Sequence, residues 1–556
     1  MSRLLTLHDP EAARRYYADG VWTADTFYTL MAEHAALRPA AWAARDGARR
    51  LSWAALKGWV DVVAADMAAS GLCEGERVSL WMSNRLEALV VFLACSRNGY
   101  VCNPSLHRNY TVEEILGLAE RIRASALFIE EGYGADAAAR DVFGPLEASQ
   151  RVRKVYRLPA GHDTGSAMPS LGKSTGSAEG VSGPPALRNP DKVTYLAFTS
   201  GTTGTPKGVM HSDNTLLANC RDLVADWHHN DRTILLTLSP LSHHIAWVAV
   251  GQAMIAGMEL VLDDPPPGRS KLDWIIETGA TYVMGVPTHA MDMLAEQKAR
   301  GIAKLGSVRL FYMAGAPIPP ATAEAFLAQG VKPQNIYGMS ENSSHQYTHP
   351  VDDTETVCST CGTGGKAYGI RIYDQENADL EVPAGTIGEI GGMGGCLMLG
   401  YFDNQSATEN SFNAVGDFLS GDLGMLDERG NLHVAGRLKD LIIRGGHNIY
   451  PAKIEDLVIK HPGIAKAAAF PVPDERLGER VCLSVLPLGD AAPPPVAELL
   501  RHLFDLGLSK FDMPEYFLVM TEFPLTAGGK ILKRELAEWA KSGRITPEPV
   551  RFEAPD

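Results

Sequence analysis

The sequence predicts an α/β fold: a large N-terminal domain of α/β subdomains ending in a β-rich subdomain, then a small α+β C-terminal domain. Three observations predict it. Residues 25–130 alternate helix-like stretches with short apolar runs, and the alternation resumes at Val193. From 369 to 435 it gives way to short alternating segments with many glycines, the texture of a β-rich subdomain. After Gly436 amphipathic helices return, which sets a domain boundary near 437.

The elements follow in order. Arg77-Val-Ser-Leu-Trp-Met82 is strand-like, Glu87–Cys95 is an apolar helix ended by Asn98-Gly99, and Ala126-Leu-Phe-Ile129 is strand-like again. Residues 160–190, rich in Gly, Ser and Pro, read as a flexible surface connection. Inside it, Gly172-Lys-Ser174-Thr-Gly176 spells the GxSxG nucleophile elbow, but that elbow needs a strand before it and a helix after it, and neither is present. Val193-Thr-Tyr-Leu-Ala-Phe-Thr199 is a strand, followed by a Gly/Thr-rich loop and a helix from Ser212. Further strands are expected at Ile234-Leu-Leu-Thr-Leu238, Tyr282-Val-Met284 and Val308-Arg-Leu-Phe-Tyr312. The most apolar stretch, Ile245–Leu262, holds Gln252, Glu259 and two glycines, so a buried helix and turn is expected there rather than a membrane span. Beyond the boundary, Ala452–Lys460 and Val496–Leu506 are amphipathic, with a strand at Val481–Leu486 between them.

Composition narrows the function. With 45% hydrophobic and 21% charged residues the chain is globular, which excludes a disordered or collagen-like protein. A formal charge of −15 disfavours sequence-independent nucleic-acid binding, which depends on neutralising phosphates. The eight cysteines form no disulfide pattern. Cys358 and Cys361 alone have CxxC spacing and lack a second ligand pair for zinc, so reduced thiols are expected. The opening MSRLLTLHDPEAARR has no signal-peptide core, and the cytoplasm is the expected address.

The segment that carries the most chemistry is Thr199-Ser200-Gly201-Thr202-Thr203-Gly204-Thr-Pro-Lys207-Gly208. Its glycines let backbone N–H groups turn toward an anion, its hydroxyls add donors, and Lys207 adds a cation. This is what a polyphosphate cradle needs. It is not a Walker A loop, since Pro206 precedes the lysine and Gly208 follows it. A second glycine pattern, Gly362-Thr-Gly364-Gly-Lys-Ala367, fits GxGxxA but precedes a strand-like GIRIYD instead of a helix, so a dinucleotide site is not expected there.

Further segments say which phosphate chemistry. They are Met313-Ala-Gly-Ala-Pro-Ile318, Tyr337-Gly-Met-Ser-Glu341, Ser420-Gly-Asp422, Gly436-Arg437-Leu-Lys439-Asp440 running into Ile443–Pro451, and Pro524-Leu-Thr-Ala-Gly-Gly529-Lys530. With the Thr/Gly loop, in this order over 199–530, they resemble the core motifs of the adenylate-forming superfamily, which includes acyl- and aryl-CoA ligases, nonribosomal adenylation domains and firefly luciferase.

The resemblance implies a carboxylate joined to ATP, with release of pyrophosphate, and then passed from acyl-AMP to a thiol. It implies an AMP-binding N-terminal domain over 1–436 and a mobile C-terminal domain over 437–556, with a hinge at Lys439. Thr199, Ser200, Gly201, Thr202, Thr203, Gly204 and Lys207 would hold phosphates, Glu341 a Mg²⁺ ion, and Asp422 and Arg437 the ribose. Gly315, Ala316, Tyr337, Gly338 and Ser340 would complete the ATP site. Lys530 would contact the carboxylate and the α-phosphate, and Gly445 and Gly446 would line the pantetheine route of coenzyme A. His243, placed by the resemblance at the wall of the acyl pocket, is expected to position or gate; His244 is given no role. The remaining pocket candidates are Trp247, Gly251, Val286, Ala314, Gly338 and Met339, mostly apolar, so a hydrophobic acid is expected.

Departures from the family pattern are Ser242 before the histidine, Ser340 before the glutamate, Ser420 at the head of the ribose motif, Ala314 in the shelf and Lys453 where an acidic residue is frequent, with Glu455 retained. No carrier domain follows the lysine motif, so the leading expectation is a free-standing acyl- or aryl-CoA ligase using ATP, Mg²⁺ and CoA. A stand-alone acyl-AMP ligase that loads a separate carrier protein is the alternative. No nucleic acid and no membrane span are expected. A lysine acetyltransferase acting on Lys530 and a second copy of the chain remain open as partners.

Overall fold

The computed structural model describes residues 4–161, 183–199, 206–489, 492–525 and 530–552. The GxSxG match at 172–176 and the loop residues Ser200–Gly204 lie outside them. By contact the chain divides into two compact units, 1–369 with 393–411, and 370–392 with 412–556. The β-rich segment therefore groups with the C-terminal residues, upstream of position 437. That grouping reflects contacts, whereas the boundary at 437 concerns movement and stays a proposal.

The first unit is built on two mostly parallel sheets. One has six strands in the order Lys154–Leu158, Ala124–Glu130, Arg77–Trp81, Val101–Asn103, Val193–Thr199, Lys207–Ser212, the last pair antiparallel. The other has eight, and its central run is Lys332–Met339, Leu310–Ala314, Tyr282–Gly285, Ile234–Thr237, Glu259–Leu262, all parallel. Their uniform burial is what parallel strands covered by helices require. The strand expected from Val308 begins at Leu310, because Val308 N–H closes a turn onto Leu305 O at 3.1 Å.

The stretch Ile245–Leu262 resolves into a helix, His244–Ala256, and a strand, Glu259–Leu262. Gly257 caps the helix at φ +66°, a conformation that favours glycine. Apart from His244 and Gln252 the helix is apolar on every side, because it is enclosed by core. The preceding helix, Asp213–Asp226, starts where Ser212 and Thr215 form a capping box.

The second unit holds a four-stranded sheet, Tyr368–Tyr373, Gly388–Gly394, Phe418–Leu426, Leu432–Arg437, and a six-stranded sheet made by residues 442–549. The helices Pro451–Val458 and Val496–Asp505 pack their buried faces into one core with the second sheet. No described helix is long and apolar enough to cross a membrane.

Candidate active site

Four parallel neighbours in the eight-stranded sheet end at Thr237, Gly285, Ala314 and Met339. Immediately beyond three of those ends lie Val286, Gly315 with Ala316, and Ser340 with Glu341, and six residues beyond Thr237 lies His243. Segments spread over a hundred residues of sequence thus meet at one sheet edge, the carboxyl end where open α/β sheets bind ligands. Gly315 has φ +89°, so the chain turns sharply there; Gly315 and Ala316 are exposed, while Tyr337 is buried beside them. Gly338 must be glycine for a different reason: a Cβ there would fall 1.8 Å from Ser343 O.

The candidate phosphate loop follows the first strand of a hairpin in which Thr199 and Lys207 are direct antiparallel partners. Phe198 N–H donates to Ser105 Oγ at 2.6 Å, and Arg121 donates to Pro206 O at 2.8 Å while lying over the Phe198 ring. Lys207 Nζ stands 4.6 Å above the ring of Tyr401, and Tyr401 OH donates to Glu341 Oε1 at 3.0 Å. One tyrosine therefore touches both the candidate phosphate-site cation and the candidate Mg²⁺ carboxylate. It is held there because Met210 N–H donates to Gly400 O and Phe402 N–H to Gly208 O, stitching 399–402 along the hairpin. The turn bearing Glu341 is tied by Met339 N–H to Asn342 Oδ1 at 3.1 Å and by Met398 N–H to Glu341 O at 2.7 Å. Behind Ser340, His211 Nε2 donates to its carbonyl at 2.6 Å, and burial lowers the His211 pKa to about 4, so the ring stays neutral.

Tyr401→Phe keeps the ring beneath Lys207 and deletes the bond to Glu341. The expected loss in pyrophosphate release is about tenfold, the low end for a hydrogen bond to a charged group, with a raised half-saturating Mg²⁺ concentration. A Mg²⁺ titration of both proteins checks it; an unchanged titration would remove Tyr401 from this role.

On the acyl side, His243 begins the His244–Ala256 helix, and its ring faces His107 at 4.6 Å between centroids. His107 Nδ1 is 3.1 Å from Ser242 Oγ. Burial lowers the pKa of both rings; for His107 the nearby His243 adds to it and the value falls to about 4. His244 is bonded, Nε2 to Ser343 Oγ at 3.0 Å, and burial keeps it neutral. Trp247 is buried with its indole N–H on Leu241 O at 2.7 Å and its ring against Phe92. Gly251 is where this helix meets the Asp213–Asp226 helix: a Cβ would sit 2.6 Å from Cys220 Sγ. Ala314 is buried, and Val286 is the N-cap of the Pro287–Arg300 helix.

In the second unit Asp422 and Arg437 are antiparallel partners on adjacent strands, with Nε to Oδ1 at 3.3 Å. Ser420 Oγ donates to Ile390 O at 2.6 Å and accepts from Asp422 N–H at 3.0 Å, so the serine hydroxyl shapes the turn. Gly421, at φ +75°, donates to Glu389 Oε1 at 2.9 Å. Burial raises the Glu389 pKa, the Gly421 bond opposes it, Asp422 adds to it, and Lys439 opposes it. Lys439 lies in the short 3₁₀ turn Leu438–Asp440 and is exposed.

Lys530 as a residue is exposed, yet its ammonium is crowded: burial first and Arg437 second lower its pKa, against Asp422. The Leu525–Ile531 bridge and Leu532 N–H to Pro524 O at 2.9 Å fix the base of its loop. Gly445 and Gly446 have φ +58° and +85° in the tight turn between Ile442–Arg444 and His447–Ile449. That turn alone calls for two glycines, whatever passes over it.

Gly362 and Gly364 press on the Ser343–Tyr347 strand and lead into the strand Tyr368–Tyr373, so GxGxxA opens no helix. Cys358 and Cys361 are free thiols, and burial raises the Cys361 pKa to about 12. The residues that sequence reasoning missed are Tyr401, His107, His211 and His345. His345 is buried against Tyr368 and edge-on to Tyr337, with its pKa lowered to about 3 by burial.

The chain is similar to several known proteins. The chain is 28% identical over 469 residues to the medium-chain fatty-acid–CoA ligase of Escherichia coli, covering 84% of this chain and 82% of that one. It is 30% identical over 500 residues to the 3-[(3aS,4S,7aS)-7a-methyl-1,5-dioxo-octahydro-1H-inden-4-yl]propanoyl:CoA ligase of Mycobacterium tuberculosis, covering 88% and 94%. Among solved structures, ATP-bound MatB from Rhodopseudomonas palustris superposes with a TM-score of 0.79 at 28% identity, over 92% of this chain and 99% of the other. Residues 31–402 match the AMP-binding enzyme family and residues 453–530 its C-terminal domain, and the chain belongs to that family.

Proposed function

We propose that the protein is an AMP-forming acid–thiol ligase. It joins a hydrophobic carboxylic acid to ATP, releasing pyrophosphate, and passes the acyl group from acyl-AMP to coenzyme A. The observation that carries this reading is the convergence of His243, Gly315, Ala316, Tyr337 and Glu341 at the ends of four adjacent strands, beside the hairpin that bears Lys207. Two anions must meet in the first step, so fixed cations and donors do the work.

Lys207 and the loop 199–204 take the phosphates. Asp422 accepts hydrogen bonds from the ribose hydroxyls, with Arg437 holding its carboxylate. Tyr337 lies flat against the base, and the exposed Gly315–Ala316 edge leaves room for it. Glu341 fits Mg²⁺, a hard ion that is commonly held by one or two carboxylates together with substrate phosphates. Bound there, the ion would neutralise charge on those phosphates. Lys530 supplies positive charge to the carboxylate and the α-phosphate. The His107–His243 pair, with both rings kept neutral by burial, walls the acid's path without adding a charge that would hold the carboxylate back.

The test is product analysis with ATP, a panel of carboxylic acids and free coenzyme A. Acyl-CoA and AMP are expected. Acyl-AMP formed without any acyl-CoA would replace coenzyme A by a carrier protein as acceptor.

A further inference from the structure

Below the acyl side of the first unit lies a layer of buried polar side chains, and Gln334 is its least satisfied member. The residue is 0% exposed, yet neither Nε2 nor Oε1 finds a hydrogen-bond partner among the described residues. A buried carboxamide in that condition is unfavourable unless a partner reaches it. On the Lys332–Met339 strand, Gln334, Ile336 and Gly338 share one face. Asn335, on the other face, bonds the carbonyls of Val357 and Thr360. Ile336 joins the core to which the His244–Ala256 helix contributes, so Gln334 lies on the side of the sheet that this core covers.

The register fixes the depth. Gln334 is opposite Tyr312, and Tyr312 is opposite Met284. Gln252 of the helix lies over this level, with Nε2 3.4 Å from Met284 Sδ and Oε1 accepting from Tyr282 OH at 3.4 Å. Tyr312 OH and Ser344 Oγ share a hydrogen bond of 2.6 Å. From Gly338 down to Gln334 is four strand residues, about 13 Å at the usual rise. From His243 down to Gln252 is nine helix residues, also about 13 Å. Strand and helix thus reach the same polar floor at the same distance from the edge where the carboxylate reacts.

We infer that the acid activated here carries an oxygen function, a ketone or hydroxyl, at the end remote from its carboxylate, and that Gln334 reads it. The inference rests on the acid-activating function proposed above. A purely aliphatic acid would reach the floor and leave the carboxamide unpaired. An oxygenated one pairs with it, and a hydrogen-bonding site of this kind discriminates far more strongly than an apolar one.

The full-length protein, with ATP, Mg²⁺ and coenzyme A, is assayed for pyrophosphate release with nonanoic acid and with its derivative bearing a ketone next to the terminal carbon. The wild type is expected to favour the oxo acid at least about tenfold in kcat/KM, through KM for the acid. Gln334→Met should bring the ratio to about one while leaving KM for ATP unchanged. Gln334→Asn keeps the amide but draws it back, so it should shift the preference to the next longer oxo acid. Equal use of both acids by the wild type, or an undiminished preference in Gln334→Met, overturns the inference while the ligase stands. Absence of pyrophosphate release with every acid overturns the ligase itself.

Discussion

Lys530→Ala is expected to cut acyl-AMP formation by about 10²–10³-fold, the usual cost of removing one donor aimed at developing charge. Thioester formation from supplied acyl-AMP should change by no more than about threefold, because charge at phosphorus no longer has to be met there. The two half-reactions are measured separately, the first by pyrophosphate release without thiol and the second by acyl-CoA formation from synthetic acyl-AMP. Equal loss in both would end this division of labour. The proton on Lys530 matters for the same reason. Burial and Arg437 lower its pKa from the ordinary 10.5, so adenylation should fall as pH rises through a value below 10.5. In Lys530→Arg that alkaline limb should move to higher pH.

Glu341→Gln is the second large effect. It keeps the shape and the capacity to accept from Tyr401 OH, but it removes the charge that suits a hard cation. Adenylation is expected to fall by about 10²-fold, the scale of losing one electrostatic contact in a preorganised site. Raising Mg²⁺ should recover part of it. A variant that is as slow but indifferent to Mg²⁺ would take the Mg²⁺ role from Glu341 and leave its carboxylate as the partner of Tyr401 OH.

Much of this was legible in the letters, and the rest was hidden for physical reasons. Strands such as Val193–Thr199 and Tyr282–Gly285 are announced by short apolar runs between turn residues, since both of their faces are covered. The Asp213–Asp226 helix is announced by its Ser212 cap. Asp422 and Arg437 stand in motifs readable singly, but their pairing across antiparallel strands is set by register, which no local pattern states. Tyr401 was missed because its neighbours Lys207 and Glu341 are remote in sequence and meet it only through the backbone stitching at 399–402. His107 was missed likewise: its partners Ser242 and His243 lie on another sheet's loop. Gly251 illustrates the converse. Small residues near a pocket motif invite a lining role, and here the glycine makes room for Cys220.

The measurement that bears most directly on the central claim is the fate of ATP when the protein is given a carboxylic acid and no thiol. Acid-dependent release of pyrophosphate, with acyl-AMP held by the protein and identified by mass, is the expected result. ADP and orthophosphate as products, or pyrophosphate release that ignores the acid, would contradict it.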